Sequence, residues 1–300
     1  MTKVVVFGSN GLLGQSLVDR FKGYELYAAS RNVVNKSGIA EERYTSLDMA
    51  NRQMMKEYLR AIRPDIIINA AAYTNVDGCE TDTEACWAGN VRAVENIIDG
   101  CDSCQPVLVQ VSTDYVFDGS QGHYHEQDTP HPLGNYARSK LAAENIVSQS
   151  PFQHIIARTQ VIYGYGHQLR HNFATWVISR LSAEKNIRVV TDQIGNPTYV
   201  EDLAEGIARL LEAREYGLFH IAGSEIISRY DFALKIAEVF GFDTQLIEAI
   251  TSDEFKQAAP RPMNSSFVID KLVNRTGWEP GDVASGLQRL KIKLAEQQHG

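Results

Sequence analysis

The 300-residue sequence is short of basic charge: 29 lysines and arginines stand against 37 aspartates and glutamates, a formal net charge of −8 at pH 7. A phosphate backbone or an anionic membrane surface requires a basic stripe, and no basic cluster occurs. Nucleic-acid and membrane partners are therefore excluded, and a small-molecule partner is expected. Long apolar runs are lacking as well. The N-terminal run Lys3-Val4-Val5-Val6-Phe7 is too short for a signal-peptide core and far too short to span a bilayer, which points to a cytoplasmic protein. Cysteine is scarce, with four residues in the whole chain. Cys101 and Cys104 have the gap of a metal knuckle, but Cys79 and Cys86 offer no second close pair, so reduced thiols are expected and no metal is assigned. Internal repeats, low-complexity tracts and evident linkers are also missing.

What is present is alternation. Apolar strands are expected at 3–7, 25–29, 65–69 and 107–112, with a weaker one around 44–47. Helical patterns lie between them at 12–21, 52–62 and 85–99. Continuous apolar strands alternating with helices imply a parallel sheet covered on both faces, an α/β doubly wound architecture. A helix at 136–149 and a strand at 154–159 continue the pattern. Beyond them it loosens into helices at 172–184 and 200–213, a short strand at 218–222, a helix started by Ser228 with Asp231, and a last helix at 283–297. The expected division is a dinucleotide-binding domain over 1–160 with a return segment at 198–222. A smaller lobe would take 161–197 and 223–300.

Gly8-Ser9-Asn10-Gly11-Leu12-Leu13-Gly14 follows the first strand and opens the first helix. Glycines at this spacing permit a sharp turn, close approach of a pyrophosphate to the main chain, and tight helix–strand packing, while the helix N-terminus offers N–H groups to the phosphates. A glycine triplet alone is weak and fits an ordinary strand-to-helix turn. Its place, directly after the first strand of an alternating chain, makes it a dinucleotide signal. The second strand ends Ala28-Ala29-Ser30-Arg31-Asn32, with no acid for a ribose 2′-hydroxyl. Ser30 and Arg31 suit a 2′-phosphate instead, so NADPH is expected ahead of NADH.

Tyr136 and Lys140 are four residues apart and share one face of a helix. A free phenol is a poor proton donor at neutral pH. A neighbouring ammonium and a cationic cofactor ring favour its ionised form and bring it toward the working range. With thirteen tyrosines in the chain the spacing alone says little. Thr113, at the carboxyl end of the fifth strand in Val111-Ser112-Thr113-Asp114, adds a hydroxyl that can orient a carbonyl where open α/β sheets place ligands. The three are expected to transfer a proton while a hydride moves to or from the dinucleotide.

Several segments resemble the extended short-chain dehydrogenase/reductase family and, more narrowly, its dTDP-4-dehydrorhamnose reductase branch. They are Asn69 through Asp77, Ser112 through Gly119, Tyr136 through Lys140, Arg158-Thr159, Asn172-Phe173, Asp192 through Thr198, and Arg261-Pro262 with Ser265. The resemblance implies a Rossmann-type fold with a smaller C-terminal substrate lobe. It also implies reduction of the C4 ketone of a nucleotide-linked deoxyhexulose by NADPH. By residue, it implies that Gly8, Asn10, Gly11, Leu12 and Gly14 hold the pyrophosphate, that Asp48 and Met49 lie near the adenine, and that Ala70, Ala71 and Tyr73 line the cofactor groove. Thr113, Tyr136 and Lys140 would be catalytic. Tyr115, Phe117 and Asp118 would touch the sugar, and Asn172 and Arg261 the diphosphate. Val161 departs from the pattern, since the family often has tryptophan there to enclose the substrate. A sugar-nucleotide epimerase or dehydratase, or a non-catalytic regulator like the beta subunit of methionine adenosyltransferase, is the alternative. A homodimer is left open. His123, His125 and His131, with Glu126 and Asp128, read as a flexible loop near the substrate rather than metal ligands. Trp87 and Trp176 read as packing residues.

Overall fold

A computed structural model describes residues 1–255 and 257–298. Seven strands form one parallel sheet: β1 (Lys3–Phe7), β2 (Glu25–Ser30), β3 (Tyr44–Ser46), β4 (Ile66–Asn69), β5 (Val107–Thr113), β6 (His154–Thr159) and the strand Gly217–His220. Across the sheet the order is Gly217–His220, β6, β5, β4, β1, β2, β3. Val4, Val5, Val6 and Phe7 are all fully buried, as a strand covered on both faces must be. Burying each such side chain contributes roughly 1.5–3 kcal/mol before conformational entropy is set against it.

Helices α1 (Leu12–Arg20) and α8 (Val200–Glu212) pack on one face of the sheet through Leu13, Leu17, Leu203 and Ile207. On the other face lie α2 (Arg52–Ile62), α5 (Ala93–Gly100) and α6 (Asn135–Ser148), through Met55, Leu59, Ile97 and Val147. The strand order reverses between β1 and β4, and the crevice at their carboxyl ends is the ligand position of such sheets. A separate cluster of Tyr163, Val177, Phe232, Ile236, Leu287 and others forms around α7 (Phe173–Leu181), α9 (Arg229–Phe240) and the helix Val283–Gln298. Among the described residues no helix is long and apolar enough to cross a membrane.

The helix expected over 85–99 is interrupted. Helices α3 (Val76–Thr81) and α4 (Thr83–Trp87) precede a single π turn at Ala88–Arg92, after which α5 begins. The turn aims Asn90 inward: its Oδ1 accepts from Tyr73 N at 2.7 Å, and its Nδ2 donates to Ser139 Oγ at 2.9 Å. Apolar periodicity carries no mark of such a turn.

The loop holding His123, His125 and His131 is tied down rather than loose. Tyr124 N donates to Ser266 O at 2.7 Å, His123 N to Ser266 Oγ at 2.8 Å, and His125 N to Asp128 Oδ2 at 2.7 Å. Among the described residues no group of three or more His, Cys, Asp or Glu side chains is placed to hold a metal ion.

Candidate active site

The glycine turn joins β1 to α1 at the reversal of strand order. Gly8 has φ +76°, and a Cβ there would lie 2.6 Å from Ala71 N. At Gly14 a Cβ would lie 2.1 Å from Gly8 O, so no side chain can be accommodated while helix and turn keep this approach. Gly11 is the N-cap of α1 and supplies no side-chain hydrogen bond, which leaves first-turn N–H groups for a ligand or water. A bare, close-packed turn at a helix start is what a dinucleotide pyrophosphate needs, and the residues present fit one.

Around it, Asn10 works inside the protein. Its Nδ2 donates to Val34 O at 2.8 Å and Tyr44 Oη at 2.9 Å, and its Oδ1 accepts from Lys36 N at 2.8 Å. It thus fixes the loop after β2 against the turn. Ser30 Oγ shares a hydrogen bond with the same Tyr44 hydroxyl, at 2.9 Å. Arg31, next to it, is exposed, and among the described residues nothing accepts from its guanidinium. Asp48 accepts from Ala50 N at 3.1 Å in the turn before α2, beside buried Met49. Ala70, Ala71 and Tyr73 follow β4 and are partly exposed along the groove.

Thr113, Tyr136 and Lys140 come together because β5 ends beside α6. A buried cluster holds this junction: Arg158 of β6 donates to Glu144 of α6 at 2.9 and 2.7 Å, and Ser112 Oγ donates to the same carboxylate at 2.5 Å. Lys140 is 3% exposed, and its Nζ donates to Val111 O at 2.7 Å. Of its three N–H donors, two have no acceptor among the described residues. Desolvation pulls its pKa from 10.5 down to about 8, against the attraction of Glu144. Burial dominates at Tyr136 too, pushing the phenol well above its ordinary value, while contact with the Thr113 hydroxyl acts the other way. The lowering expected from Lys140 does not set the balance here: burial does, and the phenol keeps its proton at neutral pH. That is the form a proton donor needs. Ser139 Oγ donates to Tyr136 O at 2.7 Å, linking α6 through Asn90 to Tyr73 in the groove.

Beyond the phenol lies a recess with about 330 Å³ of empty space, part of it open to solvent. Asp114, Tyr115, Val161, Gln193, Arg229 and Ser265 line it, among others. Tyr115 meets Tyr136 edge-on, with ring centres 5.9 Å apart. Asp114 accepts from Thr113 Oγ1 at 3.1 Å and from Ser265 Oγ at 2.5 Å, and burial raises its carboxyl to about 6. Val161, the residue that departs from the family's frequent tryptophan, has φ +46°, a strained conformation for a β-branched residue, on the recess wall.

Other expected substrate contacts take different positions. Phe117 is a correction: it is fully buried, stacked on Tyr124 at 4.0 Å with Arg158 over its ring at 5.1 Å, and cannot meet a sugar. Its burial comes from Tyr124 and Arg158, which other segments bring over its ring, and a motif match does not reveal that. Asp118 Oδ1 accepts from Ser120 N, Ser120 Oγ and Tyr124 Oη, so it organises its own turn. Asn172 caps α7 in a capping box with Thr175, its Nδ2 bound to Gly164 O at 2.7 Å. Arg261 Nη1 donates to Asp77 Oδ1 at 2.8 Å and Ala259 O at 2.7 Å. The sequence reading assigned no role to Asp114, Gln193, Arg229 or Ser265. Asp114 adjoins Thr113 and was open to inference; Arg229 opens a capped helix and carries no local signal.

A family model described as the RmlD substrate binding domain matches residues 1–295. The chain is 33% identical over 309 residues to the dTDP-4-dehydrorhamnose reductase of Aggregatibacter actinomycetemcomitans, covering 97% of this chain and 99% of that one. The dTDP-4-dehydrorhamnose reductase of Bacillus anthracis str. Ames, solved in complex with NADP, superposes with a TM-score of 0.87 at 31% identity, covering 98% of this chain and 100% of that one. Methionine adenosyltransferase 2 subunit beta of Xenopus laevis is 29% identical, over 90% of this chain and 81% of its own length.

Proposed function

Because this chain belongs to the dTDP-4-dehydrorhamnose reductase family, we propose that it is an NADPH-dependent oxidoreductase reducing the C4 ketone of a nucleotide-linked deoxyhexulose. The substrate is dTDP-4-dehydrorhamnose and the product dTDP-L-rhamnose. The observation that carries this reading is the convergence of Thr113, protonated Tyr136 and buried Lys140 at the carboxyl end of β5, in the same sheet whose first strand carries the glycine turn. When bound, NADPH supplies the hydride that reduces C4.

The chain's own residues do the rest. The Thr113 hydroxyl orients the ketone oxygen. Tyr136 Oη stands as its proton donor and passes its proton to the oxygen as negative charge develops there. Lys140, with two free N–H donors, holds the ribose hydroxyls on the nicotinamide side and steadies the phenolate left behind. Arg31 pairs with the 2′-phosphate. Gly8, Gly11 and Gly14, with Leu12, cradle the pyrophosphate, and Asn10 holds the neighbouring loop. Residues 1–160 with 198–222 form the dinucleotide-binding unit in this reading, and the remainder receives the nucleotide sugar. A homodimer and a cytoplasmic location belong to it as well, tested by sedimentation and by cell fractionation.

The decisive assay supplies NADPH with the dTDP-4-keto sugar and follows oxidised cofactor against product. Stoichiometric NADPH oxidation is expected. An epimerase or dehydratase would return the cofactor unchanged, and a non-catalytic regulator would show no turnover; either result overturns the proposal.

A further inference from the structure

The two residues that the sequence points to for the substrate's diphosphate are committed within the protein: Asn172 caps α7, and the charge of Arg261 is met by Asp77. A diphosphate leaving water for a cleft between two lobes needs a cation in reach, since charge-assisted bonds offset its lost hydration. The recess beside Tyr115 offers one. Arg229, the first residue of α9, lines it together with Asp114, Val161, Gln193 and Ser265.

Among the described residues no carboxylate, carbonyl or amide oxygen accepts from the Arg229 guanidinium. It lies over the Phe173 ring, 5.2 Å from the ring centre. Stacking of that kind orients the planar group and leaves its N–H fork available for a bidentate anion. The backbone beneath is held: Arg229 N donates to Gln193 O at 2.9 Å, and Ser228 caps the helix by accepting from Asp231 N at 3.0 Å. The guanidinium charge is felt at Asp114 and Tyr115, where it favours their ionised forms against the effect of burial. In a nucleotide-linked hexose the diphosphate hangs from C1, a few bonds from C4. A cation on the recess that Tyr115 lines, next to Tyr136, is thus within reach of the phosphates when C4 is at Tyr136.

We propose that Arg229, held over Phe173 on the wall of this recess, binds the diphosphate of the nucleotide-sugar substrate. The assignment rests on the nucleotide-sugar reading above and names the side chain that recognises the substrate's charge. Asp114 lines the same recess and is restrained by Thr113 and Ser265.

The test uses dTDP alone as probe, titrated by calorimetry into NADP⁺-loaded protein. Arg229→Gln should weaken dTDP by about tenfold to a hundredfold, the usual worth of a hydrogen-bonded charge. Its affinity for NADP⁺ should be unchanged. Arg229→Lys should recover part of the loss, which a folding defect would not allow. In steady state, KM for the sugar nucleotide should rise with little change in kcat, because diphosphate binding is shared by ground and transition states. If wild type binds dTDP and Arg229→Gln binds it equally well, the assignment of Arg229 alone is overturned. If wild type ignores dTDP, the nucleotide-sugar reading falls first and takes this one with it.

Discussion

Replacing Lys140 with methionine should make the ligand-free protein more stable while disabling it. Lys140 is 3% exposed with one acceptor among the described residues, Val111 O, and desolvation sets its pKa at about 8 instead of 10.5. A depression of that size is worth about 3 kcal/mol. The sign follows from which state binds more protons. Between pH 8 and pH 10.5 the unfolded chain keeps a proton that the folded protein has lost, so wild-type stability rises across that window. Below pH 8 both states are charged, and the folded state bears the whole cost. Methionine fills similar volume without charge. Against the relief stands the lost hydrogen bond to Val111 O, about 1 kcal/mol. A net gain of about 1–2 kcal/mol at pH 7 remains, or a few degrees in Tm. Urea unfolding of both proteins at pH 7 and pH 10 measures it. The variant should be the more stable at pH 7, the gap should close by pH 10, and turnover and NADPH affinity should both fall. A variant less stable than wild type at pH 7, or a wild-type stability flat over this window, would refute the desolvation argument.

Tyr136→Phe should leave folding and NADPH binding intact and lower turnover by about 10²–10⁴, the contribution of a positioned general acid; near-normal turnover with chemistry rate-limiting would require a different donor. Wild-type activity should decline as pH rises through about 8, where Lys140 loses its proton, and a flat profile from pH 7 to pH 9.5 would contradict the role given to its charge. Arg31→Asp should weaken NADPH far more than NADH, through lost pairing and added repulsion, as read by the two KM values; equal losses would show that Arg31 does not meet the 2′-phosphate. Glu144→Gln should strand the buried Arg158 guanidinium and cost about 3–5 kcal/mol in chemical denaturation, with no such cost at an exposed pair such as Arg52–Asp99.

Much of this protein is written locally. Strand burial on both faces forces unbroken runs such as Val4-Val5-Val6, so β1, β6 and α2 are legible to the residue, and Ser228 marks the start of α9 through a side-chain cap that needs only its own neighbours. The glycine turn is legible for the same reason: its spacing answers to backbone sterics within one strand–helix unit. Thr113 could be named from its place at the carboxyl end of a strand, and Tyr136 and Lys140 from their spacing on one helix face together with the family resemblance. Only tertiary structure decided which polar side chains remain available to a ligand. Asn10, Asp118 and Asn172 have the right chemistry for binding, but partners close by in the fold occupy them. Phe117 lies in the core because Tyr124 and Arg158, from other segments, close over it. The acidities of Tyr136, Lys140 and Asp114 are set by desolvation, a property of everything packed around them rather than of their neighbours in sequence. Arg229 is the converse case. Its sequence neighbours give it no role, and it becomes a candidate ligand only where the fold sets it on the recess, over Phe173, with no hydrogen-bonded acceptor among the described residues.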